Sequence, residues 1–180
     1  MPTSIPHYSS CLYRWDLSVW RILHQISTQQ PEQAAEAFAI EPHIIGAIVE
    51  LSPREIEQLA SGVICSFIPL FSHTELESIV AIGADEFVIS SNTELNMVER
   101  IYWELVARAA FQNPMLAAVR FGISQETAIL LGQASPIAIH DICTELHLDF
   151  RLRFEPNIIL EMQHASATTA LMKRAAAALA

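Results

Sequence analysis

The chain contains the same pattern twice, and that repeat limits what it can fold into more than any other feature. Residues 16–71 laid over 99–154 without a gap give 12 identities in 56 positions, where unrelated chains of ordinary composition give roughly 6 %. The matches are the residues least easily placed by accident. They include Trp20/Trp103, Pro31/Pro114, Phe38/Phe121, Pro53/Pro136, Phe67/Phe150 and Phe71/Phe154. A period of this length marks one structural module used twice. Two modules fall short of the three or so that a solenoid needs to bury its core. The expected arrangement is therefore an intramolecular pseudo-dimer about a two-fold axis, the modules sharing one core, with Trp20, Trp103, Phe67 and Phe150 at its seam. The bounds read as an N-terminal segment over 1–15, repeat one over 16–83, a linker over 84–98 and repeat two over 99–180.

Within each module the periodicity is mostly helical. Asp16 reads as an N-cap, after which Leu17, Trp20 and Leu23 recur at helical spacing. Val98, Ile101, Tyr102, Leu105, Val106 and Ala109 do the same in repeat two. Both first helices run into a proline, which pushes the preceding residue out of the α region and suits the first turn of the next helix. Second helices are expected over 31–37 and 114–119. Third helices open at Pro42 and after Ser124. Ser52-Pro53 and Ser135-Pro136 supply a cap and a first-turn proline for a fourth helix, and Glu55 completes a capping box. Ile56, Leu59 and Val63, with Ile139, Ile142 and Leu146, form the buried faces of that fourth pair.

The period then changes. Leu148, Phe150, Leu152 and Phe154 alternate with Asp149, Arg151 and Arg153, the signature of a strand. The matched segment of repeat one, residues 63–71, contains Pro69, which suits only an edge. One short strand per module predicts that the two pair with each other. A helix opened by Ser72-His73-Thr74-Glu75 and a closing helix from about Asn157 complete a mainly α fold, with an alanine-rich tail bearing Lys173-Arg174.

Composition narrows the function classes. Apolar residues make up 52 % and charged residues 17 %, and ten basic against twenty acidic side chains leave a net charge of −10. Gripping duplex DNA depends on Lys and Arg neutralising phosphates, so a basic partner would have to supply most of any DNA affinity. No apolar run reaches the length of a membrane span, and Met1–Trp15 lack the pattern of a secretory signal. Three widely spaced cysteines, Cys11, Cys65 and Cys143, form no disulfide framework. The expectation is a cytoplasmic protein that does not engage membranes.

Nothing in the chain has the form of a nucleophile elbow, a phosphate-cradling glycine loop or a paired-carboxylate site, and no enzyme is expected. His140, Cys143 and His147 stand three and four apart, a conceivable metal face. Repeat one has Glu57, Ala60 and Ile64 there, so the module does not require the trio. A helix bordering the core explains it better, and neither metal nor cofactor is expected. Arg120, Arg151 and Arg153 occur only in repeat two, where repeat one has Ala37, Ile68 and Leu70. They are the candidate partner- or DNA-facing residues.

The segment Val119-Arg120-Phe121-Gly122-Ile123-Ser124, followed by Leu130-Leu131, Pro136 and Leu152-Arg153-Phe154, resembles the D subunit of the bacterial flagellar master transcription activator. That family shows Arg-Leu-Gly-Ile-Asn after a long first helix, then a proline-opened helix and a strand-like segment ending in Phe-Arg-Phe. The resemblance covers most of each repeat. It implies an all-helical, homodimer-forming, non-catalytic subunit that joins a zinc-containing C-type partner to activate transcription. DNA would then be met only through the complex, with further self-association possible. An adaptor, chaperone or antagonist without a DNA role is the alternative. The family carries one module per chain and this chain two, so a tandem would stand in for the homodimer.

Overall fold

The computed structural model describes residues 7–82, 94–146, 148–162, 172 and 176. Among them the chain is mainly helical, with one two-stranded antiparallel sheet. In chain order the elements are α1 (His7–Gln29), α2 (Pro31–Ala37), α3 (Pro42–Val49), α4 (Pro53–Leu59), β1 (Phe67–Leu70) and α5 (His73–Ile82). Then follow α6 (Glu94–Gln112), α7 (Pro114–Phe121), α8 (Gln125–Gln133), α9 (Pro136–Glu145), β2 (Asp149–Leu152) and α10 (Asn157–Met162). In the register of the sequence repeat, helices α2, α3 and α4 fall on α7, α8 and α9, and β1 falls on β2.

Local chemistry accounts for most of these boundaries. Pro31, Pro42, Pro53, Pro114 and Pro136 each sit in the first turn of a helix. There the missing N–H removes only a group that would have had no helical partner. The Ser52 hydroxyl accepts from the Glu55 amide while the Glu55 carboxylate accepts from the Ser52 amide, a complete capping box. Ser124, Ser135 and Asn113 cap α8, α9 and α7 by accepting from the amides of Thr127, Ala138 and Leu116. At α5 the Ser72 hydroxyl pairs with Thr74 Oγ1 at 2.7 Å. The second helices end alike: Ile40 N donates to Ala35 O, and Ile123 N donates to Ala118 O. Both turns require a left-handed residue, Gly122 at φ 68° and Ala39 at φ 51°.

Three local expectations are corrected. Asp16 does not cap the first helix, because α1 already begins at His7 and carries Asp16 through its middle, fully buried. Its carboxylate instead accepts from the amides of Ser61 and Ser66 and from the Ser66 hydroxyl at 2.7–2.8 Å. Val63 is not on the buried face of α4, which ends at Leu59; it lies exposed in the irregular stretch that Asp16 holds. Ile101 is exposed on α6, although its spacing matches the buried Tyr102 and Leu105. Helix α6 begins at Glu94, within the stretch read as linker; residues 83–93, His147 and Lys173-Arg174 lie outside the described residues.

The chain forms two compact units, residues 1–68 with 150–180, and residues 69–149. The division falls inside both strands. Unit 1 therefore holds α1–α4 of repeat one together with the end of β2 and α10 of repeat two. Unit 2 holds α6–α9 together with α5, the helix that follows β1. In unit 1, Trp20 is fully buried, edge-on to Phe67 at 4.8 Å between centroids and stacked with Phe154 at 6.4 Å. Phe38 also meets Phe67 there, at 5.8 Å, and Trp15 meets Phe150 at 5.6 Å. In unit 2, Trp103 is buried against Phe71 at 5.3 Å and beside Tyr102, which in turn meets Phe121 at 5.7 Å. Each tryptophan thus packs on the strand-end phenylalanine of the other repeat. Edge-to-face pairs of this kind add about 0.5–1.5 kcal/mol each beyond the area they bury.

Candidate functional site

The strand alternation places the arginines of β2. Phe150 and Phe154 point inward and are buried, while Arg151 is exposed and Arg153 half-buried. The backbone of Arg153 is fixed by its N–H donating to Ser66 O at 2.9 Å. Around these residues unit 1 has a groove of about 320 Å³. The turn Phe38-Ala39 and Ile68 form one side, and Arg151 through Pro156 the other. Both arginines therefore border one concavity, with the Glu155 carboxylate beside them. Behind this rim lies the Cys65 thiol, fully buried; burial first, and then the Asp16 carboxylate, push its pKa well up. The Phe67 backbone and Arg153 pull it the other way. Burial and the Asp16 carboxylate thus both favour the protonated thiol.

Arg120, the third predicted residue, belongs to unit 2, in the last turn of α7, where a cation complements the helix dipole. Arg100 pairs with Glu104 one turn along α6 at 2.9 Å, and Arg108 is exposed. The three sequence-predicted arginines thus divide, Arg151 and Arg153 falling in unit 1 and Arg120 in unit 2, which also holds Arg100 and Arg108.

A second surface in unit 2 is absent from the sequence reading. At the end of α6 and along α7, Phe111 is 80 % exposed, Met115 65 %, Leu116 47 % and Val119 45 %. Met115 and Val119 are one turn apart, Leu116 lies three positions before Val119, and Phe111 stands just ahead of the Asn113-Pro114 joint. Met115, Leu116 and Val119 share the outer side of α7, whose inner side buries Ala117 and Phe121, and Phe111 is exposed at the end of α6. Under Phe111, α8 approaches α6 very closely. A Cβ added at Gly132 would stand 2.8 Å from the carbonyl carbon of Ala110 and 3.1 Å from the Phe111 nitrogen. Ile129, one turn before Gly132, is itself partly exposed. Repeat one has Thr28, Glu32, Gln33 and Glu36 at the four matched positions. Comparing the two repeats for surface positions, rather than for shared ones, is the signal that finds this face in the sequence.

His140 and Cys143 share α9, and burial, opposed by Arg100 and reinforced by Glu104 and Glu99, pushes the Cys143 thiol up to about 12. His147 lies outside the described residues, and among those described no three His, Cys, Asp or Glu side chains are gathered as metal ligands. His73 Nδ1 lies 3.0 Å from Thr127 Oγ1, which ties α5 to the start of α8, and His73 Nε2 lies 3.4 Å from Glu77 one turn along α5. No helix among the described residues is long and apolar enough to cross a membrane. Comparison of the chain with protein-family models, with curated proteins and with solved structures finds no match.

Proposed function

We propose that this chain is a non-catalytic regulator subunit that works by holding other proteins, in the manner of the flagellar-activator D subunit it resembles, with repeat two as its contact surface. One observation carries the reading: matched positions keep the fold and exchange the surface. Pro114, Ala117, Ala118, Phe121 and Ile123 repeat Pro31, Ala34, Ala35, Phe38 and Ile40, while Glu32, Gln33, Glu36 and Ala37 between them give way to Met115, Leu116, Val119 and Arg120. The same holds at β2, where Arg151 and Arg153 replace Ile68 and Leu70. A module that only completed a pseudo-dimer would have no reason to split its surface in this way. Contiguous exposed apolar patches on soluble domains mark interaction sites.

DNA would be reached through a basic partner, since a net charge of −10 leaves little to neutralise phosphates. Reconstitution with a zinc-containing C-type activator subunit tests this. The chain alone is expected to leave promoter DNA unshifted at physiological salt, and the mixture is expected to shift it as a discrete complex. Arg151→Glu, at an exposed position, should weaken that complex at least tenfold with the melting temperature kept, because exposed charges change stability by under about 0.5 kcal/mol, and adding Arg153→Glu should weaken it further. Tight, salt-sensitive binding of DNA by the chain alone would overturn the indirect role. A wild-type complex from the double variant would overturn the assignment of that face. Complexes that form with protein partners but never shift DNA would favour the adaptor.

A further inference from the structure

The Phe111–Val119 face has an electrostatic frame that says what it fits. Arg108 lies three positions before Phe111 on α6, and Arg120 lies four after Leu116 on α7, so helical spacing puts a cation at each end of the apolar strip. Repeat one has Gln25 and Ala37 at those two places. Apolar surface and positive charge therefore stand together in the short stretch 108–120 and are both absent from its repeat-one match, in a chain with twice as many acidic as basic side chains.

We infer that this face is a docking site for an amphipathic helix of a partner protein whose apolar ridge is flanked by carboxylates. The inference rests on the protein-binding reading above and names the chemistry of the partner. Area favours a single helix over a second copy of the chain. The four side chains expose on the order of 400 Å² of apolar surface, the size of a functional patch, whereas a stable pairing of globular partners covers about 800 Å² on each side. Charge points the same way. An isologous pairing would set this face against itself, bringing two cation-framed strips together between molecules that each carry −10. A helix with leucines at i, i+3, i+4 and i+7 lays such a ridge along a strip of this length. Carboxylates on its flanks then meet Arg108 and Arg120.

The test uses the full chain and two labelled synthetic peptides, each about 16 residues or four turns long. Both have leucines at i, i+3, i+4 and i+7; one is flanked by glutamates, the other by lysines. Fluorescence anisotropy should show saturable micromolar binding of the glutamate peptide and at least tenfold weaker binding of the lysine peptide. Phe111→Thr, Met115→Glu, Leu116→Gln and Val119→Glu together install the repeat-one surface. They should abolish the binding while helicity and melting temperature are retained. Arg108→Glu, a single exposed change, should remove the preference between peptides even where the fourfold variant folds poorly. Equal binding of both peptides by the wild type overturns the partner chemistry and leaves the protein-binding reading standing. Undiminished binding to a folded fourfold variant overturns the site. A wild-type dimer in sedimentation that the fourfold variant dissolves, with neither peptide bound, makes a second copy the occupant and also overturns the proposal.

Discussion

Asp16 shows at the scale of one residue how far local sequence rules reach. A short acidic side chain ahead of a helical run is a reasonable cap by preference, yet the helix has already run for more than two turns when it reaches Asp16. The side chain points into unit 1, and its three hydrogen bonds set the path of residues 61–66 into β1. Its match in repeat two, Glu99, is also buried, and its Oε1 accepts from Leu148 N at the entry to β2. Both first helices thus hold the approach to a strand with a buried carboxylate. Capping preference is local and cannot see a partner that lies three helices further along the chain, which is why this role was illegible. Removing the acceptor strands two buried amides, each costing about 1–3 kcal/mol. Asp16→Ala should therefore lower unfolding free energy by about 3 kcal/mol in urea titration, and Asp16→Asn by less. A loss under about 1 kcal/mol would show that water replaces the carboxylate and that residues 61–66 hold their path without it.

At the scale of elements the chain was largely legible, because its helix starts rest on proline and serine, whose chemistry is local. The capping box at Ser52 and the caps at Ser124 and Ser135 stand where the sequence puts them. What periodicity could not supply was the facing of α6 and α7. Ile101 shares the spacing of the buried Tyr102 and Leu105 yet is exposed, and Phe111 and Met115 are exposed at the α6–α7 joint. The two left-handed turns make a controlled pair. Repeat two places glycine at this position and repeat one places alanine, with a similar φ. A non-glycine residue in this region costs about 1–2 kcal/mol, and glycine returns about 0.4–1 kcal/mol of that through the unfolded chain. Ala39→Gly should thus stabilise by about 0.5 kcal/mol, and Gly122→Ala should destabilise. Gly132→Ala should cost more, about 1–3 kcal/mol, because the atoms in its way are backbone. Equal melting temperatures for Ala39→Gly and Gly132→Ala would contradict both accounts.

For the whole molecule, the telling feature is the exchange of closing elements between repeats. A sequence comparison finds the two modules but not which elements complete which unit, since both pairings satisfy the same hydrophobic pattern. In the structure, Phe150, Phe154 and Ile159 of repeat two complete the core of unit 1. Leu76 and Ile79 of α5 are buried in unit 2, ahead of repeat two. Truncating a buried phenylalanine costs about 3–5 kcal/mol and a buried leucine or isoleucine about 2–5 kcal/mol. Losing two phenylalanines and an isoleucine at once is therefore comparable to the roughly 5–15 kcal/mol that holds an ordinary domain together. Residues 1–82 and residues 94–180, produced as separate polypeptides, should each show weak helicity and no cooperative melting. Mixed in equal amounts, they should recover the circular dichroism of the intact chain as a one-to-one complex. Two folds that exchange their last elements depend on each other, whereas two modules that fold in sequence do not. Cooperative melting of residues 1–82 alone, with the helicity expected for α1–α5, would mean that repeat one closes its own core and that the exchange is dispensable.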